Sequence, residues 1–269
     1  MRSAFPEFIE QSLSAAHPSW QTYLRAGLTA LAAAQPAYLP ALVDAAFLPT
    51  GNRLFAAFAV PMSSVRYVLM GEGPYPREES ATGVCFMDGA VKSLWQRDAG
   101  LSKQVNRATS LRNFIKMLLV AEGVLNIQNT TASALKPVAE LACADDSGWI
   151  QTGAQLQSNL QQRGFLLLNA SLVFRPEVPP AQDANAWLPF LRVVLQALHQ
   201  QPSSLAEAPV QLILWGKIAE KVNQLPEAKH FAALSSEHPY NLSFIGNQMM
   251  QDLFRPLHIL RPGSWAGKY

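Results

Sequence analysis

Four short apolar runs punctuate the chain: Val65-Arg66-Tyr67-Val68-Leu69-Met70, Phe165-Leu166-Leu167-Leu168, Val210-Gln211-Leu212-Ile213-Leu214-Trp215 and, more weakly, Phe231-Ala232-Ala233-Leu234. Uninterrupted runs of this length lack the alternation of a half-exposed strand, so they predict strands covered on both faces, as in a parallel sheet. Between them, apolar positions return at helical spacing. Leu111, Phe114, Ile115, Leu118 and Leu119 form one stripe, with Thr109 or Ser110 as its cap and Gly123 as its stop. Trp187, Phe190, Leu191, Val194, Leu195 and Leu198 form a second, begun by Asp183 or Asn185, and Ile218 to Leu225 fits a third, shorter helix. Such stripes read as core-facing surfaces. Strands alternating with helices predict an α/β fold, a three-layer α/β/α sandwich around a central four-stranded, mainly parallel sheet.

Prolines cluster at Pro36 to Pro40 and at Pro176 to Pro180, in stretches too short for interdomain linkers, and no internal repeat is present. A single domain over residues 1–269 is therefore expected. The stretch from Asn126 to Trp149, rich in Ala and Thr, reads equally as an ordered insertion or a loop.

In parallel sheets, ligands bind at the carboxyl ends of the strands. The turn-rich loop Gly71-Glu72-Gly73-Pro74-Tyr75-Pro76 follows the first predicted strand, and Asn169-Ala170-Ser171 the second. Gly216-Lys217 follows the third and Ser235-Ser236-Glu237-His238-Pro239 the fourth. Small, polar and turn-forming residues thus gather at one sheet edge, the candidate site. The first loop matches neither nucleotide-phosphate fingerprint, and its two prolines remove amides that a phosphate cradle needs. Asn169 at a strand end can present a donor and an acceptor to the edge of a flat polar ring. In isolation, an asparagine capping its own turn is the better reading. Tyr75 and Phe86 can wall or stack on such a ring, but singly each reads better as a core residue. His238, fixed by the proline after it, can donate to a developing anion, although a lone His reads more often as a packed or capped residue.

Composition narrows the classes. Hydrophobic residues make up 49% of the chain, enough for a full core, and no run approaches the roughly 18 apolar residues of a membrane helix. The opening MRSAFPEFIEQ has no apolar block, so a signal peptide is not expected. The only cysteines are Cys85 and Cys143, and His17, His199, His230, His238 and His258 show no metal spacing. A reduced, cytoplasmic protein without metal or cofactor is expected. Net charge is only +2, but Val91 to Met117 carries Lys92, Arg97, Lys103, Arg107, Arg112 and Lys116 against the single acid Asp98. On charge alone that is a solvated loop and helix face.

Taken in order along the chain, these segments resemble the uracil-DNA glycosylase family. Its water-activating motif GQDPYH and the stretch leading to a stacking Phe match GEGPYPREESATGVCF, Gly71 to Phe86, without a gap. The upstream AFLPTGNRLFAAFAVPMSSVRYVLM resembles the lead-in to that loop, and Thr109-Ser110-Leu111-Arg112-Asn113 resembles the serine loop that grips DNA phosphates. GFLLLNASL resembles the strand whose terminal Asn reads uracil, LILWGKIAEK the next strand and helix, and HPYNLS the HPSPLS loop.

The resemblance implies a monomeric glycosylase acting on single- or double-stranded DNA that carries uracil or another damaged base. Backbone at Glu72 and Gly73 would contact the base, and Tyr75 would exclude a 5-methyl group. Phe86 would stack on the flipped ring and Asn169 would bond its edge. His238 would stabilise charge on the pyrimidine oxygen, and Leu242 would fill the hole left in the duplex. Ser110, Arg112 and Ser243 would hold the strand, which gives the basic segment a role.

The departures are as informative. The family Asp that positions the attacking water is Gly73 here, the Gln is Glu72, and the His after Tyr is Pro76. A poxvirus branch shares that Pro, and more distant relatives work with Asn in place of the Asp. Loss of a general base lowers a rate by about 10²- to 10⁴-fold. Glu72 is the adjacent carboxylate, but neighbouring side chains in an extended loop point different ways. Two expectations follow: a glycosylase of reduced or altered activity, or a catalytically inactive DNA- or protein-binding module on the same scaffold.

Overall fold

The computed structural model describes residues 5–200 and 209–263. In chain order the main elements are α1 (Glu7–Leu13), α2 (Gln21–Ala34), α3 (Tyr38–Ala41), β1 (Tyr67–Gly71), β2 (Trp95–Gln96), β3 (Gly100–Leu101), α4 (Lys103–Arg107) and α5 (Thr109–Ala121). They continue with α6 (Ala132–Ala142), α7 (Gly153–Gln162), β4 (Phe165–Asn169), α8 (Pro180–Gln200), β5 (Gln211–Trp215), α9 (Ile218–Asn223), β6 (Ala232–Ser236) and α10 (Gln248–Phe254). Among the described residues the chain forms two compact units. One is drawn from positions up to Met87 and from Gly164–Leu234, the other from Asp88–Arg163 and positions from Ser235 onward.

The first unit is built on a four-stranded sheet in the order β4-β1-β5-β6, flanked by helices as the alternating pattern predicts. β4 and β5 both run parallel to β1, and the register sets Gly71 opposite Asn169. Val68, Met70, Leu166, Leu168, Leu212 and Leu214 point to one face, where they join Leu24 and Leu28 of α2 and Trp187, Phe190 and Val194 of α8 in one cluster. Leu69, Phe165, Leu167 and Ile213 point to the other face and are also buried. Burial on both faces is why these strands read as unbroken apolar runs. β6 differs: Ala232 and Ala233 are exposed on an edge strand, and its pattern was correspondingly faint.

Helix ends deviate from expectation in two places. Neither Thr109 nor Ser110 caps α5; Ala108 holds the cap position without a side-chain bond, and both residues lie inside the first turn. The chain reverses at Ala108 because α4, capped by Ser102, ends there with the Ala108 N–H bonded to the Gln104 and Val105 carbonyls. Gly123 stops α5 as expected, in a left-handed conformation (φ 72°) that glycine adopts without strain. α8 begins at Pro180, ahead of both predicted caps. The segment from Asn126 to Trp149 contains the ordered helix α6.

Asp183 does not cap α8 because it turns into the core. Its carboxylate accepts from the Tyr38 hydroxyl at 2.7 Å and from Arg175 Nη2 at 2.6 Å, and the Trp187 indole N–H donates to Tyr38 Oη at 3.0 Å. Burial, and then the Asp183 carboxylate, push the Tyr38 pKa far above the ordinary phenol range, so the hydroxyl stays a donor. Removing one member of a buried charge pair strands the other. Asp183→Ala is accordingly expected to lower unfolding free energy by about 3–5 kcal/mol, read as a shift of the urea midpoint.

Candidate functional site

In the first unit, the candidate residues converge where β1 and β4 end. The Ala170 N–H donates to the Gly71 carbonyl at 2.8 Å, and the Ser171 N–H to the Glu72 carbonyl at 3.1 Å. These bonds tie the Gly71–Pro76 loop to the segment after β4. Asn169 is only 5% exposed, and among the described residues its side-chain amide makes no hydrogen bond. It does not cap its own turn. Its Oδ1 lies so close to Gly71 that a Cβ there would sit 2.6 Å from it and 2.5 Å from Cys85 Sγ. Only glycine fits at position 71. The Cys85 N–H donates to the Leu167 carbonyl at 3.0 Å, which holds the 82–87 turn against β4. Burial pushes the Cys85 thiol up to about 12, so it remains a neutral packing group rather than a nucleophile.

Phe86 follows in a left-handed backbone conformation, φ 67°, which is an outlier for an aromatic residue. Its half-buried ring meets Trp215, the last residue of β5, edge-on at 5.1 Å between centroids. Tyr75 is half-buried and points its hydroxyl at the Phe86 carbonyl, 3.5 Å away. Glu72, Gly73 and Pro74 line a cleft of about 210 Å³ together with Ser171, Asp183 and Lys221. Glu72 and Gly73 are both exposed. Thus Gly71, Glu72, Gly73, Tyr75, Phe86 and Asn169 belong to one edge of the sheet. Trp215 and Ser171 complete this edge and were not singled out by the sequence. Only their positions, at and just after strand ends, marked them.

The second unit carries the remaining candidates. Ser110 and Arg112 lie in the first turn of α5 and are partly exposed. Arg112 spends donors on the fold itself, with Nη1 on the Asn106 carbonyl at 3.1 Å and Nε 3.4 Å from Asn113 Oδ1. Burial, and then the nearby Arg112, lower the Lys116 pKa from its ordinary value, the mark of two cations one turn apart. Arg97 also donates inward, to the Cys143 carbonyl at 2.7 Å. Lys92, Lys103 and Arg107 are exposed. His238 is exposed and its Nδ1 accepts from the Tyr240 N–H at 3.1 Å, which leaves the proton of the neutral ring on Nε2. Leu242 is 69% exposed and Ser243 is exposed.

Asn113 was missed as a site residue. It is fully buried within the apolar stripe of α5, and its Nδ2 donates to the carbonyls of Pro239, Tyr240 and Asn241 at 2.8, 3.3 and 3.4 Å. A lone amide inside an apolar stripe was the available signal. Among the described residues, no group of three or more His, Cys, Asp or Glu is arranged to hold a metal ion, and no helix is long and apolar enough to cross a membrane.

The crystal structure of wild-type UNG from Nitratifractor salsuginis is 34% identical in sequence and superposes with a TM-score of 0.82, covering 95% of this chain and 96% of that one. The chain belongs to the uracil-DNA glycosylase superfamily. Two curated superfamily members agree with this placement. Uracil-DNA glycosylase of Mycobacterium avium (strain 104) is 27% identical over 197 residues, 73% of this chain and 68% of its own. That of Tropheryma whipplei (strain Twist) is 25% identical over 219 residues, 78% and 76% of the two chains. No family model matches the chain.

Proposed function

We propose that this protein is a DNA glycosylase that takes uracil or another damaged base out of the helix and hydrolyses its N-glycosidic bond. Its activity is reduced or altered by the glycine at position 73. The observation that carries the reading is Asn169. Its side chain is recessed at the end of β4 and spends no hydrogen bond on the fold among the described residues, and a donor and acceptor fixed side by side suit a pyrimidine edge. Around it, Tyr75 excludes a 5-methyl group, Phe86 stacks on the ring, and the Glu72–Gly73 backbone contacts it. His238 donates to the pyrimidine oxygen as negative charge develops there. Leu242 fills the vacated space, and Ser110, Arg112 and Ser243, with the exposed Lys103 and Arg107, hold phosphates. Water adds at C1′ as the bond to the base breaks, and the base leaves with the electron pair and takes up a proton. The protein acts as a cytoplasmic monomer and needs neither metal nor cofactor.

Gly73 supports a second reading, a catalytically inactive DNA- or protein-binding module on the same scaffold. Release of free uracil from single- and double-stranded oligonucleotides separates the two. The glycosylase reading expects release by purified protein under single-turnover conditions. No release at high protein concentration, with DNA still retained in a salt-dependent manner, would leave the binding module.

A further inference from the structure

The loop from His238 to Ser243 displays more than one insertion side chain. Among the described residues, the two most exposed large apolar or aromatic side chains are Leu242 at 69% and Tyr240 at 67%, two positions apart on this loop. The backbone beneath them is held. The Tyr240 N–H donates to His238 Nδ1 at 3.1 Å, the Asn241 N–H to the His238 carbonyl at 2.9 Å, and the Phe244 N–H to the Asn241 carbonyl at 3.2 Å. From the other side, Asn113 gathers three consecutive carbonyls of the loop, Pro239 to Asn241. The chain continues into buried Phe244 and Ile245. A loop anchored at this many points presents its exposed ring from a backbone that is already ordered, which lowers the ordering cost at binding. The exposed cations Lys103 and Arg107 lie on α4, which packs against α5, the helix whose Asn113 holds the loop, and this suits a polyanion that also offers flat apolar faces. Single nucleobases on a phosphate backbone meet both conditions. The HPSPLS loop, which this one resembles, has serine where Tyr240 stands, so the ring is a feature of this chain.

We propose that Tyr240 stacks on the nucleobase next to the flipped nucleotide, while Leu242 fills the hole, so that the loop inserts two side chains. The proposal rests on the DNA-acting reading above but not on catalysis. It is tested by equilibrium binding of the full chain to a duplex with a non-hydrolysable tetrahydrofuran abasic residue at the target position. In a second set of duplexes, the neighbouring bases are also removed one at a time. Tyr240→Ala is expected to weaken binding to the first duplex by about 5- to 140-fold, the range for loss of one base–aromatic stack. Tyr240→Phe is expected to keep the affinity, and the alanine effect should vanish on the one duplex that lacks the stacked base. A Tyr240→Ala loss equal on every duplex, or no loss, overturns the stacking while leaving a DNA-binding protein. If the wild-type chain binds none of the duplexes, the DNA-acting reading falls with it.

Discussion

Asn169→Ala is expected to lower single-turnover base release by about 10²- to 10³-fold, the range for removing one preorganised donor from a developing anion. The same variant should melt close to the wild-type temperature. Its side chain makes no hydrogen bond among the described residues, so truncation orphans no partner, and the cost is confined to the packing of a small amide. This separation of activity from stability is the diagnostic feature. Asn169→Asp keeps the shape of the side chain but replaces its N–H donors with acceptors. It also sets negative charge beside a pyrimidine oxygen that becomes anionic, so its defect should equal or exceed that of alanine. Free base measured by chromatography and a thermal melt of each variant decide the matter. Unchanged release from Asn169→Ala would remove this residue from the reaction and leave recognition of the base to other groups of the site.

The framework of this site was readable in the sequence because burial on both faces leaves a strong signature. Leu166 to Leu168 and Leu212 to Leu214 have no polar position to blur the strand pattern. The rule that ligands gather at carboxyl ends then led to Gly71 and Asn169, which the register sets opposite each other. Local end signals failed where a distant partner captured the residue that carried them. Asp183 reads as a cap for α8, but Tyr38, 145 positions away, and Arg175 draw it inward. The left-handed backbone of Phe86 and its contact with Trp215 had no local counterpart in the chain. Asn113 is the sharpest case. Its value lies in carbonyls about 126 positions away, and helical periodicity alone assigns it to the core, where it does lie.

Gly73→Asp is expected to raise the rate of base release by about 10²- to 10⁴-fold, the contribution of a positioned general base. The structure accommodates the side chain. A Cβ at position 73 would lie 3.7 Å from Ser171 Cβ and 3.8 Å from the Ser171 carbonyl oxygen, ordinary contact distances in an exposed loop. This is unlike position 71, where a Cβ would meet Cys85 and Asn169 below 3 Å. The new carboxylate acts as a base only when ionised, so the gain should appear as pH rises through about 4, the ordinary aspartate value, and persist above it. Glu72→Gln, alone and combined with Gly73→Asp, identifies what the wild type uses. If Glu72 already activates water, Glu72→Gln should remove most of the wild-type rate and Gly73→Asp should add little to it. If Glu72 takes no part, its neutralisation should leave the rate unchanged or raise it, because a carboxylate near a departing anion opposes the charge that forms. Gly73→Asp then supplies a function the loop lacks. A Gly73→Asp protein that folds, binds DNA and still releases no base would mean that the scaffold has diverged beyond this one position, which favours the binding module.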